Sequence, residues 1–160
     1  MGKLLLGDKY MIDNNLKYAR EELEMTQAEL GFVFGVSQST VAGWENAIDV
    51  IPFNKLIRFC NLYDYSLDFI CGFTRNNTNY NKPIKIDKKI LGLKLKEFRD
   101  ELNLSQQQFA DECGFYKSTY GNYEVGRYLI KTMAIYTICK KYNISMDYLV
   151  GRTYNKKIDK

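Results

Sequence analysis

The sequence predicts an all-α chain made of two consecutive copies of one five-helix unit. Three observations carry this reading. The chain aligns with itself without a gap at an offset of 79 residues, residues 16–74 upon residues 95–153. Identities run the length of the overlap, among them Leu16/Leu95, Arg20/Arg99, Gln27/Gln106, Gly35/Gly114, Glu45/Glu124, Cys60/Cys139, Ser66/Ser145, Asp68/Asp147 and Gly72/Gly151. Apolar residues within a unit recur at three- and four-residue steps, as in Leu16, Ala19, Leu23 and then Leu30, Phe34, which is the period of a helix with one buried face. Finally, residues that start and stop helices stand at the ends of these stretches.

Taken in order, Leu16, Ala19 and Leu23 mark the first helix. Thr26 and Ser105 each precede a Gln-rich stretch and suit its N-cap, where a short hydroxyl accepts from a free helix N–H. Gly35 and Gly114 follow that stretch, where a left-handed C-cap favours glycine. Ser37 caps a third helix running through Asn46. Pro52 suits the first turn of a fourth helix that ends near Tyr63. Ser66 and Ser145 open a short fifth helix, closed by Gly72 and Gly151. The second copy departs in two places: Tyr116 stands where the first has Ser37, and Lys131 where it has Pro52. Losing the hydroxyl cap costs on the order of 1 kcal/mol at that helix start.

The units are assigned to residues 1–74 and 90–160, joined by a linker over 75–89. That linker is rich in Asn and Lys, and Pro83 disfavours helix at Lys82. Its lysines, Lys82, Lys85, Lys88 and Lys89, either track phosphates as basic arms do or belong to a solvated tether.

Composition bounds the function. A formal charge of +4 permits a nucleic-acid partner without requiring one. The four cysteines at 60, 71, 113 and 139 lack the close pairing of a zinc site, and there is no histidine. They read as reduced, buried helix residues. With no histidine, nucleophile elbow, phosphate-cradling glycine loop or paired carboxylates, no enzyme, cofactor or metal is expected. Leu4-Leu5-Leu6 is too short for a signal-peptide core or a membrane span, so a cytoplasmic location and no membrane partner are expected.

Both units resemble the Cro/CI-type (XRE) helix-turn-helix domain of phage repressors and many bacterial regulators. In the first copy the resemblance rests on Arg20, Gln27, Leu30, Gly35-Val36-Ser37, Ser39-Thr40-Val41 and Trp44-Glu45. In the second it rests on Arg99, Gln106, Phe109, Gly114, Ser118-Thr119 and Tyr123-Glu124. The tails Ser66-Leu67-Asp68-Phe69-Ile70 and Ser145-Met146-Asp147-Tyr148-Leu149 match as well. The resemblance implies a lambda-repressor-like fold and a DNA-binding transcriptional regulator, with double-stranded DNA as partner. It implies that the second helix lies across the phosphate backbone and the third enters the major groove.

On that basis Gln27 and Gln106 face phosphate at the start of the second helices. The base-facing positions fall on Gln38, Ser39 and Gly43, and on Lys117, Ser118 and Asn122. Gln or Asn there suits adenine, and Lys suits guanine. Thr40 and Thr119 either touch DNA or serve as helix-start hydroxyls. Arg127 and Tyr128 are placed to touch phosphate. Arg20/Glu45 and Arg99/Glu124, both 25 residues apart, are implied structural ion pairs, and Trp44 and Tyr123 are core.

Charge separates the copies. Residues 14–74 carry four basic and eight acidic side chains, whereas residues 93–153 carry nine basic and seven acidic. Phosphate neutralisation supplies most non-specific affinity, so the second unit is expected to dominate DNA binding. A repressor is the leading expectation, with a homodimer as one route to a symmetric site. The alternative is a protein-binding antirepressor or phage-type inhibitor that engages a protein partner through the acidic first unit.

Overall fold

The computed structural model describes residues 12–158 and 160; the Leu4-Leu5-Leu6 run and the first eleven residues of the expected first unit lie outside them. Ten helices follow one another among the described residues. The first unit comprises α1 (Leu16–Glu22), α2 (Gln27–Phe34), α3 (Gln38–Glu45), α4 (Phe53–Tyr63) and α5 (Leu67–Ile70). The second comprises α6 (Lys88–Glu101), α7 (Gln106–Cys113), α8 (Lys117–Glu124), α9 (Thr132–Tyr142) and α10 (Met146–Leu149).

The expected helix ends are realised atom by atom. Thr26 Oγ1 accepts from the Glu29 amide while Glu29 accepts from the Thr26 amide, and Ser105 and Gln108 do the same. Such reciprocal pairs satisfy donors that the helix leaves open. Gly35 and Gly114 cap α2 and α7 with φ of 66° and 75°, in the left-handed region expected of them. Ser37 caps α3, whereas Tyr116 at the start of α8 makes no side-chain cap bond. Pro52 is the N-cap of α4 rather than a residue of its first turn.

The buried core runs through both units. Leu16, Leu30, Val41, Trp44, Leu56 and Phe59 are buried in the first, and Leu95, Phe109, Tyr120, Ile135 and Ile138 in the second. Gly92 brings α6 against the end of α8 so closely that a Cβ there would lie 2.3 Å from the Glu124 carbonyl oxygen. All four cysteines are free and buried. Burial pushes the Cys113 thiol up to about 11, and it raises those of Cys60, Cys71 and Cys139 as well.

The two units dock through their fifth helices by reciprocal contacts. The Asp147 carboxylate accepts from the Leu67 and Asp68 amides at 3.1 and 2.9 Å, capping α5 from the other unit. In return Asp68 accepts from the Met146 amide at 2.7 Å and from the Ser145 hydroxyl. Position 73 of the first unit matches 152 of the second, and each crosses over: Phe73 stacks on Tyr136 of α9. Arg152 donates to the Cys60 and Tyr65 carbonyls and to Asp64. The segment after α3 also meets the start of α9, with the Thr132 hydroxyl donating to the Ile51 carbonyl at 2.6 Å. Contacts in which i meets j and j meets i define a two-fold relation rather than a translation.

The segment between the units is tied down by hydrogen bonds, although most of its residues are exposed. Asn77 and Asn79 donate to the Asp64 carbonyl, and the Asn81 amide donates to the Asp64 carboxylate. Ile84 is buried, with Asn61 clamping its backbone from both sides. Lys82 donates to the Gly151 carbonyl of the second unit. Asp87 caps α6 through the Lys89 and Ile90 amides, so the last two residues expected in the linker are already helical.

Candidate nucleic-acid interface

An ion-pair cluster present in both units ties the first three helices of each together. In the second, Arg99 Nε donates to Glu124 Oε1 at 2.6 Å, Nη2 to Oε2 at 3.1 Å, and Nη1 to the Leu104 carbonyl at 2.7 Å. Gln106 Nε2 adds a bond to Glu124 Oε2 at 2.8 Å. One carboxylate thus ties α6, α7 and the end of α8 together. Burial opposes the Glu124 charge, but the bonds from Arg99, Gln106 and Tyr120 outweigh it and hold the carboxyl below its usual range. Arg20, Glu45, Gln27 and the Met25 carbonyl repeat the cluster in the first unit.

Gln27 and Gln106 therefore have a structural task at the helix start where a phosphate contact was expected. An amide nitrogen has two protons, and one on each side chain is committed to the cluster. Trp44 and Tyr123 are buried core residues, as expected.

The remaining expected contacts divide by exposure. Gln38, Ser39, Lys117, Ser118, Thr119, Arg127 and Tyr128 are exposed, while Thr40, Gly43 and Asn122 are half-buried. The Thr40 hydroxyl bonds the Ser37 hydroxyl at 2.9 Å, which matches the helix-start role. Ser39 bonds Ser37 as well. Gly43 presents no side chain, and a Cβ there would meet only Asp49 at 3.8 Å.

One feature escaped the residue-level expectation. At the start of α2 the N3 residue is Glu29, whose bonds to the Thr26 amide and hydroxyl hold its carboxyl below the usual range; at the start of α7 the same place holds neutral Gln108. A carboxylate already seated at a helix N-terminus competes with a phosphate for the same dipole. Comparing Glu29 with its partner Gln108 at the 79-residue offset would have shown it. Lys88, one of the lysines expected either to track phosphates or to lie in a solvated tether, donates to the Arg127 carbonyl at 3.1 Å and adds a cation beside the α8 loop.

Among the described residues no helix is long and apolar enough to cross a membrane. Two family models match the chain: one described as helix-turn-helix over residues 16–70, the other as helix-turn-helix domain over residues 92–154. A curated protein of Bacillus subtilis (strain 168), named as the uncharacterized HTH-type transcriptional regulator YobD, is 29% identical over 91 residues. That match covers 57% of this chain and 73% of the relative. No solved structure matches the chain significantly. The chain belongs to the Cro/CI-type (XRE) helix-turn-helix regulators and carries two such DNA-binding domains in tandem.

Proposed function

We propose that the protein is a sequence-specific repressor of transcription that binds double-stranded DNA, with the second unit supplying most of the affinity. The observation that carries this is the exposed row Lys117, Ser118, Arg127 and Tyr128 on and after α8, with Lys88 beside it. The corresponding row in the first unit is Gln38, Ser39, Ile48 and Asp49, without a cation. Lys117 suits guanine O6 and N7, while Asn122 and Gln38 suit adenine. Arg127 and Tyr128 suit phosphate. Repression follows because occupying an operator is sufficient for it.

Selection of the intact protein on random duplex DNA at near-physiological salt tests the reading. Enrichment of a defined motif supports it, and an unenriched pool rejects it. To test the division of labour, Lys117→Ala should weaken binding to the selected duplex far more than Gln38→Ala. Equal losses would reject the dominance of the second unit.

One observation favours a second reading, in which the first unit engages a protein. Phe32 and Ile48 are 89% and 83% exposed on its α2 and on the loop after α3, close in sequence to acidic Glu29 and Asp49. A protein partner bound stoichiometrically, together with DNA affinity that barely changes with salt, would establish that reading.

A further inference from the structure

The way the two units dock points to a more specific mode of recognition, resting on the DNA-binding reading above. In a two-fold assembly of identical subunits, one surface patch meets its own copy. Here that patch is already occupied within a single chain. The Asp147 carboxylate caps α5, Asp68 returns bonds to the start of α10, and Phe73 and Arg152 cross to α9 and α4 respectively. A second contact joins the segment that follows α3 to the start of α9. A cavity lined by Val50–Asn54 and Leu129–Met133 lies between them. Because both recognition helices run directly into these paired segments, the two-fold relation places them at the same end of the axis.

The linker fixes this arrangement instead of merely permitting it. Its Asn77, Asn79 and Asn81 hold Asp64, Ile84 is buried, and the Lys82 side chain and carbonyl bond Gly151 and Arg152 of the second unit. The two readers are therefore held at one separation and one relative orientation.

The recognition surfaces, by contrast, are not copies. Gln38, Ser39 and Gly43 occupy the positions that Lys117, Ser118 and Asn122 occupy in the other unit. We propose that one chain is a complete operator reader, a built-in pseudo-dimer that binds as a monomer to a non-palindromic duplex with two unlike half-sites. The half-sites lie about one helical turn, ~10 base pairs, apart. Unlike half-sites also fix which way round the protein sits, so the bound complex has a direction that a palindrome cannot impose.

The test uses the intact chain with DNA from the random-duplex selection, and mass measurement of the complex by sedimentation or native mass spectrometry. The expected complex has one chain per duplex, on a motif with two different halves. Replacing either half by a copy of the other should weaken binding roughly ten- to a hundredfold, the value of one or two good base contacts. Inserting about five base pairs, half a turn, between the halves should be at least as damaging. Two chains on a palindromic motif would overturn the proposal while leaving DNA binding intact, as would a single enriched half-site or indifference to the inserted spacer. A selection with no enrichment would remove the DNA-binding reading itself, and the proposal with it.

Discussion

Removing the Arg99 guanidinium should destabilise the second unit severely. The Arg99 side chain is 9% exposed and that of its partner Glu124 is 2% exposed. In Arg99→Met the carboxylate keeps the bond from Gln106 Nε2, but both bonds from Arg99 vanish and the Leu104 carbonyl loses its donor. Breaking a buried pair by deleting one partner costs about 3–5 kcal/mol, because the remaining charge stays buried without its counter-charge. Against total stabilities of about 5–15 kcal/mol, that is between about a fifth and the whole of the stability. Urea unfolding followed by helical circular dichroism measures the loss. The double variant Arg99→Met, Glu124→Gln should recover part of it, since a neutral amide at 124 can still pair with Gln106 and no longer carries a stranded charge. A single variant losing under about 1 kcal/mol, with no gain from the second change, would show instead that the pair is effectively solvated.

Three further outcomes are expected. Tyr116→Ser should strengthen the start of α8 by about 0.5–1 kcal/mol, because Ser37 at the matching position accepts from the Thr40 amide at 3.2 Å whereas the Tyr116 side chain makes no cap bond; thermal unfolding reads this. Asp68 gives the stability a pH dependence: burial and the neighbouring Asp147 charge push its carboxyl from an ordinary ~4 up to about 7. Folding then takes up a proton between those values, so the stabilisation is complete below about 4 and is lost as pH rises through about 7. Urea midpoints should fall from pH 5 to pH 8, and Asp68→Asn should flatten the profile. Arg127→Ala should lower DNA affinity and reduce the slope of log affinity against log salt by about 0.9, the value of one phosphate contact; an unchanged slope would take Arg127 off the backbone.

Much of each unit was legible because its signals are local. A hydroxyl at Thr26 or Ser105, a glycine at 35 or 114 and the three- and four-residue apolar steps all act within one or two turns. The ion pairs were legible only through the resemblance, since nothing in a spacing of 25 residues says that two side chains meet. How the units dock was not legible. Asp68 and Asp147 stand where a helix-start acid is ordinary, and their sequence does not tell whether they serve their own helix or the other one. The linker misled for a related reason: an Asn-rich stretch looks solvated, yet Asn77, Asn79 and Asn81 are here the partners of Asp64, itself a left-handed C-cap at the end of α4. Asp87, an N-cap two residues from the expected unit boundary, was the overlooked sign that α6 starts inside it. On the recognition surface, exposure of Lys117 and Arg127 agrees with expectation, while the bonds of Gln27 and Gln106 to Glu45 and Glu124 depend on three helices meeting.

The central claim is sequence-specific DNA binding, and its most direct test is a ratio of two affinities. The intact protein is titrated at near-physiological salt onto the selected duplex and onto an unrelated duplex of equal length. At least a thousandfold preference for the selected duplex is expected, the range in which specific readers exceed their own non-specific binding. Equal affinity for the two duplexes would contradict it.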